Sequence, residues 1–212
     1  ATQTVNVTVS AVNDPPTFSA SSQTVASNED TSKTITLAAT DADNDTLTYA
    51  AAAASNGTVS VSGAVVTYTP RLNYNGTDSF VVIASDGKGG TATQTVNVTV
   101  SAVNDPPTFS ASSQSVSATA GTAKTITLAA TDVDGDALTY TVATPSKGSA
   151  TVSGTTLTYT PTSSASGTDS FVVTASDGKG GTATQTINAT VAAATTTTST
   201  TDFRLTASDG WT

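Results

Sequence analysis

The string ATQTVNVTVSAVNDPPTFSASSQ at 1–23 recurs unchanged at 92–114, and the register then holds without a gap. Position n matches position n+91 at 71 of the 100 pairs from 1/92 to 100/191. A period of 91 exceeds the 20–50 residues of a solenoid repeat and has the size of one small domain. The chain must therefore fold the same way twice within 212 residues. Domains are expected at 15–103 and 106–192. Residues 1–12 duplicate the end of such a unit and read as the last strand of a preceding, truncated repeat. Residues 193–212 read as a Thr-rich linker and the start of a following segment.

Within each repeat, apolar residues alternate with period two, the pattern of half-buried strands. TITLAAT (34–40) offers Ile35, Leu37 and Ala39 to one face, TLTYA (46–50) offers Leu47 and Tyr49, and VVTYT (65–69) offers Val66 and Tyr68. DSFVVIAS (78–85) offers Phe80, Val82 and Ala84, and TQTVNVTV (93–100) offers Val96, Val98 and Val100. The second copy tests these faces: Ile83 and Val65 become Thr174 and Thr156, whereas Phe80 and Tyr68 stay large as Phe171 and Tyr159. Ile83 and Val65 are therefore expected to face water. Seven short strands separated by Gly, Asn-Asp and Asp-Gly turns predict an all-β chain of two tandem seven-stranded immunoglobulin-like sandwiches in a linear array. No segment carries a helical period; AAAAS at 51–55 is too short to stand alone.

Composition removes whole classes of chemistry. The chain has no His, Cys or Met, so Ser/His/Asp and Cys/His catalysis, zinc sites, disulfides and haem ligation have no residues to work with. No enzyme is expected. Sixteen acidic against seven basic side chains argue against nucleic acid and anionic membrane surfaces as partners. No stretch approaches the apolar length of a membrane span, so no membrane insertion is expected.

The carboxylates fall in a pattern. Successive antiparallel strands run alternately down and up, so the turn DVDGD (132–136) and Asp177 should reach the pole of the second repeat beside the linker SAVNDPP (101–107). The turn NEDTS (28–32) of the first repeat should lie at the pole facing that linker, with Asp78 a further candidate there. One junction is thus expected to gather Glu29, Asn104, Asp105, Asp132, Asp134, Asp136 and Asp177. The corresponding upper set of the first repeat is Asp41, Asp43, Asp45 and Asp86. Like charges a few Å apart repel by about 1–4 kcal/mol per pair, and an all-oxygen cluster of this kind suits Ca2+, which takes 6–8 oxygen ligands. At the lower pole of the second repeat, Glu29-Asp30 becomes Ala120-Gly121, RLNYN becomes TSSAS, and AVNDPP gives way to AAATTTT. No metal is expected there.

Each acidic element also has a plainer reading. Asp-Gly at 86–87 and 177–178 is a turn signal in its own right; Asp45 and Asp136 suit turn capping, and Asp78 and Asp169 suit acceptance of turn amides. DVDGD lacks the EF-hand spacing, and GKGG lacks the P-loop spacing.

ATDADNDTLTY (39–49), IASDGKGGTATQTVNVTVSAVNDPPTF (83–109) and the Glu of SNEDTS (27–32) resemble cadherin-type repeats. More specifically, they resemble the cadherin-like tandem repeats of large bacterial surface proteins and adhesins. The resemblance implies structural calcium between successive domains, held by an acidic D-x-D turn, an Ala-x-Asp, a V-N-D-x-P linker and an early Glu. These elements fall on Asp132 and Asp134, on Asp177, on Asn104 and Asp105, and on Glu29; for the upstream junction they fall on Asp41, Asp43, Asp86, Asn13 and Asp14. The Asp-Arg-Glu element of animal cadherins is missing, and YTPRLNYNGTDSF (68–80) stands in its place.

The expected function is a calcium-stiffened spacer in an extracellular stalk, adhesin or filament on a microbial cell surface, with neighbouring repeats of the same chain as partners. The alternatives are an adhesive module that binds glycan or self-associates, with Leu72 and Tyr74 as its visible patch, and a noncatalytic accessory segment of a secreted enzyme. FRLTASDG (203–210) resembles FVVTASDG (171–178), so strand exchange between identical chains in a filament is a further expectation.

Overall fold

A computed structural model describes residues 1–195. The stretch FRLTASDG, and with it the strand exchange built on that stretch, lies outside the described residues. The chain divides into two compact units, Ala1–Val103 and Asn104–Thr212.

The first unit contains β1 (Thr17–Phe18), β2 (Ser22–Asn28), β3 (Lys33–Thr36), β4 (Ala39–Thr40), β5 (Thr48–Ala51), β6 (Gly57–Ser62), β7 (Val65–Pro70), β8 (Gly76–Ser85) and β9 (Thr91–Ser101). These nine segments make seven strands, because the first and second are each broken in two. The first strand pairs through β1 with β4, then changes sheet and runs as β2 parallel to β9. One sheet has the order β2-β9-β8-β5 and the facing sheet the order β3-β7-β6. The described residues contain no helix.

Alternation decides what these sheets enclose. Ile35, Leu37, Val66, Tyr68, Phe80, Val82, Val96, Val98 and Val100 form the core, each contributing about 1.5–3 kcal/mol where a large side chain is fully buried. The Tyr68 and Phe80 rings stack with centroids 5.9 Å apart. Val65 and Ile83 lie outward, at 39% and 37% exposure, as their replacement by threonine in the second copy predicts.

The second unit repeats the plan with β10 (Thr108–Phe109), β11 (Ser113–Thr119), β12 (Lys124–Thr127), β13 (Ala130–Thr131), β14 (Thr139–Val142), β15 (Gly148–Ser153), β16 (Thr156–Pro161), β17 (Gly167–Ser176) and β18 (Thr182–Ala192). Its sheets run β11-β18-β17-β14 and β12-β16-β15, with β10 paired to β13. Its core differs from the first by compensating exchanges. Ala189 stands where the first unit has Val98, while Leu157 and Ile187 replace Val66 and Val96, and all three are buried. The carbon lost at one position is regained at two others, the kind of swap that packed interiors tolerate.

Residues 1–16 carry no strand assignment, and Val5, Val7 and Val9 are 74–87% exposed. Their sequence twins Val96, Val98 and Val100 in β9 are at most 3% exposed. An alternating strand buries its apolar face only against a sheet, and in this unit residues 91–101 already hold that place.

Candidate metal centre

The acidic turn of the first unit follows β4 and is built by its own carboxylate. Asp41 Oδ1 accepts the backbone amides of Asp43 at 3.0 Å and Asp45 at 3.2 Å, a side-chain-to-backbone turn that short aspartates favour. The turn needs one residue in the left-handed region. Asn44 supplies it at φ 61° and its counterpart Gly135 at φ 77°, and these are the two residue types that adopt it most readily. The second unit repeats the turn, with Asp132 Oδ1 accepting the amides of Asp134 and Asp136 at 3.0 and 3.2 Å.

The Asn-Asp pair before the two prolines is tied to this turn. The Asp14 amide donates to Asp43 Oδ2 at 2.8 Å, and Asn13 Nδ2 donates to Asp86 Oδ2 at 2.8 Å. In the second unit, Asp105 donates to Asp134 and Asn104 to Asp177 at the same distance. The structure thus brings together Asn13, Asp14, Asp41, Asp43, Asp45 and Asp86 in one unit, and Asn104, Asp105, Asp132, Asp134, Asp136 and Asp177 in the other.

Asp86 and Asp177 do the work of a turn as well. Asp86 Oδ1 accepts the amides of Lys88 at 2.8 Å and Gly90 at 2.9 Å. The Asn13 side-chain amide, helped by the Lys88 and Gly90 amides, holds the Asp86 carboxyl below its ordinary range against the opposing effect of burial. Asn104 does the same for Asp177. Gly90 is required by close approach: a Cβ there would collide with the Asp86 carboxylate and with Pro15 Cα.

Three carboxylates of each turn converge. Oxygens of Asp41, Asp43 and Asp45 lie within 4.8 Å of one another, as do those of Asp132, Asp134 and Asp136. Asp41 Oδ2 and Asp45 Oδ2 are shut off from water with no hydrogen-bond partner, and so are Asp132 Oδ2 and Asp136 Oδ2. A buried polar atom left unmade costs about 1–3 kcal/mol, more when charged. A cation would satisfy all of them. The donors are oxygens from several carboxylates, with no nitrogen or sulfur ligand, which fits calcium among the biological divalent ions.

Lys88 and Lys179 belong to these sites, although spacing alone did not single them out. Lys88 Nζ lies 2.6 Å from Asp45 Oδ1, and Lys179 Nζ lies 2.7 Å from Asp136 Oδ1. The hydrogen bond to Asp45 holds the Lys88 ammonium above the ordinary lysine range, with the charges of Asp45, Asp43 and Asp41 adding to it. The available signal was the lone lysine at the same place after Asp86 and Asp177 in a chain poor in basic residues.

Within the first unit, Glu29 lies at the opposite pole from the Asp41 turn. It follows β2 at the end of β9, whereas Asp86 follows β8, whose first residue Gly76 pairs with Val100 near that same end of β9. The ten residues of β8 therefore separate Glu29 from the Asp41 turn. Glu29 is 2% exposed, and its Oε1 accepts the Val103 amide at 2.6 Å. The second unit closes the same turn without it: the Ala120 amide donates to Ala192 O at 2.9 Å just as the Glu29 amide donates to Ser101 O at 3.0 Å. The fold of this turn has no need of the glutamate.

Asp78 and Asp169 take the structural role. Asp78 accepts the Asn56 amide at 2.8 Å, the Tyr68 hydroxyl at 2.9 Å and the Ser79 amide at 2.9 Å. Burial alone would push its carboxyl up, but these donors outweigh it and hold the group low. The Leu72–Tyr74 pair is less of a patch than the sequence suggests. Leu72 is 81% exposed, but Tyr74 packs against the core and its hydroxyl donates to Thr77 O at 2.6 Å.

The family model described as bacterial Ig domain matches the chain twice, at 13–99 and 104–190. No curated protein matches significantly. Among solved structures, Drosophila N-cadherin EC1-4 aligns with a TM-score of 0.56 and 17% identity, covering 85% of this chain and 50% of that one. Human protocadherin-24 EC1-2 aligns at 0.53 and 20% identity, covering 85% of this chain and all of that one. An endo-fucoidan hydrolase from glycoside hydrolase family 107 aligns at 0.40 and 21% identity, and the match spans only 29% of that enzyme. The cadherin ectodomains share the sandwich architecture at these identities. Two consecutive matches over most of the sequence show that the chain belongs to the bacterial Ig domain family, as two copies in tandem.

Proposed function

We propose that this chain is a pair of spacer repeats from an extracellular stalk, adhesin or surface filament, and that calcium held by the acidic turns stiffens the joint between successive repeats. Bacterial Ig domains are typical of surface and extracellular proteins and are generally non-catalytic. The observation that carries the calcium reading is the orphaned pair of buried oxygens in each turn, Asp41 Oδ2 with Asp45 Oδ2 and Asp132 Oδ2 with Asp136 Oδ2. Asp43 and Asp134 would supply further oxygens, and the Asn-Asp linkers are already tied to them by hydrogen bonds. Glu29 supports the reading from the other pole. A buried glutamate that its own turn does not require, and that the second repeat replaces by alanine, is explained by a ligand role toward the repeat that follows.

The ion's part would be to neutralise the turn and fasten the linker, turning a hinge into a joint. The test is thermal unfolding with calcium and with EDTA. Calcium should raise the melting temperature at micromolar to millimolar concentration, the range of extracellular modules, and Asp134→Ala should abolish the second unit's share of the rise. Equal melting temperatures in the two buffers would remove the calcium reading.

A further inference from the structure

The geometry points to Lys88 and Lys179 as resident counter-ions of the acidic turns, which stabilise the metal-free turns and set the calcium affinity low. This inference rests on the calcium reading for its second half only. Each ammonium lies within 2.7 Å of an aspartate oxygen of its turn, 2.6 Å in the first unit and 2.7 Å in the second. The contact takes Oδ1 of Asp45 or Asp136 and leaves Oδ2 of the same carboxylate buried and unpartnered. One carboxylate thus has one oxygen committed to a monovalent cation of the chain and the other still open.

The lysines are built into the turn that carries Asp86 and Asp177. The Lys88 amide donates to Asp86 Oδ1 at 2.8 Å and the Lys179 amide donates to Asp177 Oδ1 at 2.7 Å. The backbone bond fixes where the side chain starts. The same residue in both copies then reaches the same carboxylate, even though the acidic turns differ between Asn44 and Gly135. The two side chains are 58% and 57% exposed, so more than half of each stays in water. Three carboxylates within 4.8 Å of one another repel when no cation is present, and the ammonium relieves that. An arriving divalent ion draws on the same negative charge and meets a positive neighbour. Exchange between the two is therefore easy, and the metal-free turn stays folded.

The experiment compares the whole chain, the double variant Lys88→Gln/Lys179→Gln and the control Lys33→Gln/Lys124→Gln. The control changes the net charge equally, at the starts of β3 and β12. Calcium chloride is the probe, read by isothermal titration, and melting in EDTA at low ionic strength is the second readout. Relative to the control, Lys88→Gln/Lys179→Gln should melt lower in EDTA and bind calcium about two- to tenfold tighter, the scale expected when one exposed like charge is removed beside a cation site. Unchanged or weaker calcium binding overturns the affinity half, and an unchanged melting temperature in EDTA overturns the counter-ion half. A wild type that shows no calcium binding by titration and melts alike in calcium and in EDTA overturns the functional reading itself and the affinity half with it. The EDTA comparison then decides the counter-ion half alone.

Discussion

Two kinds of aspartate stand in this chain, and single substitutions should separate them. Asp169 accepts the Ser146 amide at 3.1 Å, the Ser146 hydroxyl at 2.7 Å, the Lys147 amide at 2.9 Å and the Tyr159 hydroxyl at 2.8 Å. Asp169→Ala would strand these donors in the interior and should cost about 2–4 kcal/mol, read as a lower urea midpoint. Burial pushes the Asp78 and Asp169 carboxyls up, but their donors win and hold both below the ordinary aspartate value of 3.8. A carboxyl with a depressed folded-state pKa stabilises the fold above its unfolded value and loses that contribution as the pH falls below it. Acid unfolding should therefore set in as the pH drops through and below 3.8, and Asp169→Asn should flatten that limb. Asp43 belongs to the other kind. Without calcium, Asp43→Ala removes a charge from a crowded turn and should leave the melting temperature nearly unchanged; with calcium it should remove the first unit's gain.

At the scale of the strand, alternation makes the two faces of β8 unequal. Val82 is fully buried and neighbouring Ile83 is 37% exposed. Ile83→Thr repeats the exchange that the chain already carries at Thr174 and should change stability by no more than about 0.5 kcal/mol. Val82→Thr places a hydroxyl among Tyr68, Phe80 and Val96 and should cost about 1–3 kcal/mol. Chemical denaturation of the two variants side by side measures the difference. The same arithmetic applies to residues 1–12. Val5, Val7 and Val9 bury almost nothing, so removing residues 1–11 should leave the melting temperature of both units unchanged within about 2 °C. A larger fall would mean that the segment packs on a unit in solution.

For the whole molecule, the two units share a plan but not a set of ends. Each carries the full acidic turn and the Asn-Asp linker before it, whereas only the first carries a buried glutamate at its other pole. On the proposed function, calcium removal should increase the spread of conformations seen by small-angle scattering. Asp134→Ala should reproduce that spread in calcium buffer, and Asp43→Ala should not, because its turn lies at the upstream end of the first repeat. A scattering profile that does not respond to calcium would count against a stiffened joint while leaving local binding at each turn open to titration.

Much of this was legible from order alone. Period-two alternation, checked by a second copy of the same pattern, determined which side chains of β3, β7, β8 and β9 face inward, because a strand has only two faces and one of them must bury apolar surface. Strand direction determined that Asp41, Asp43, Asp45 and Asp86 share a pole, since antiparallel pairing leaves no other place for those turns. What order could not decide is where each oxygen's hydrogen bonds go. The tertiary structure showed that Asp86 is largely saturated by amides, that Asp78 serves the Tyr68 hydroxyl, that Tyr74 is packed down, and that Lys88 reaches across to Asp45. These depend on contact distances set to within a few tenths of an ångström, some between near neighbours and some, as for Lys88 and Asp45, between residues tens of positions apart. Only the packed chain sets such distances, and they decide whether a carboxylate is a fixture of the fold or is still in need of a cation.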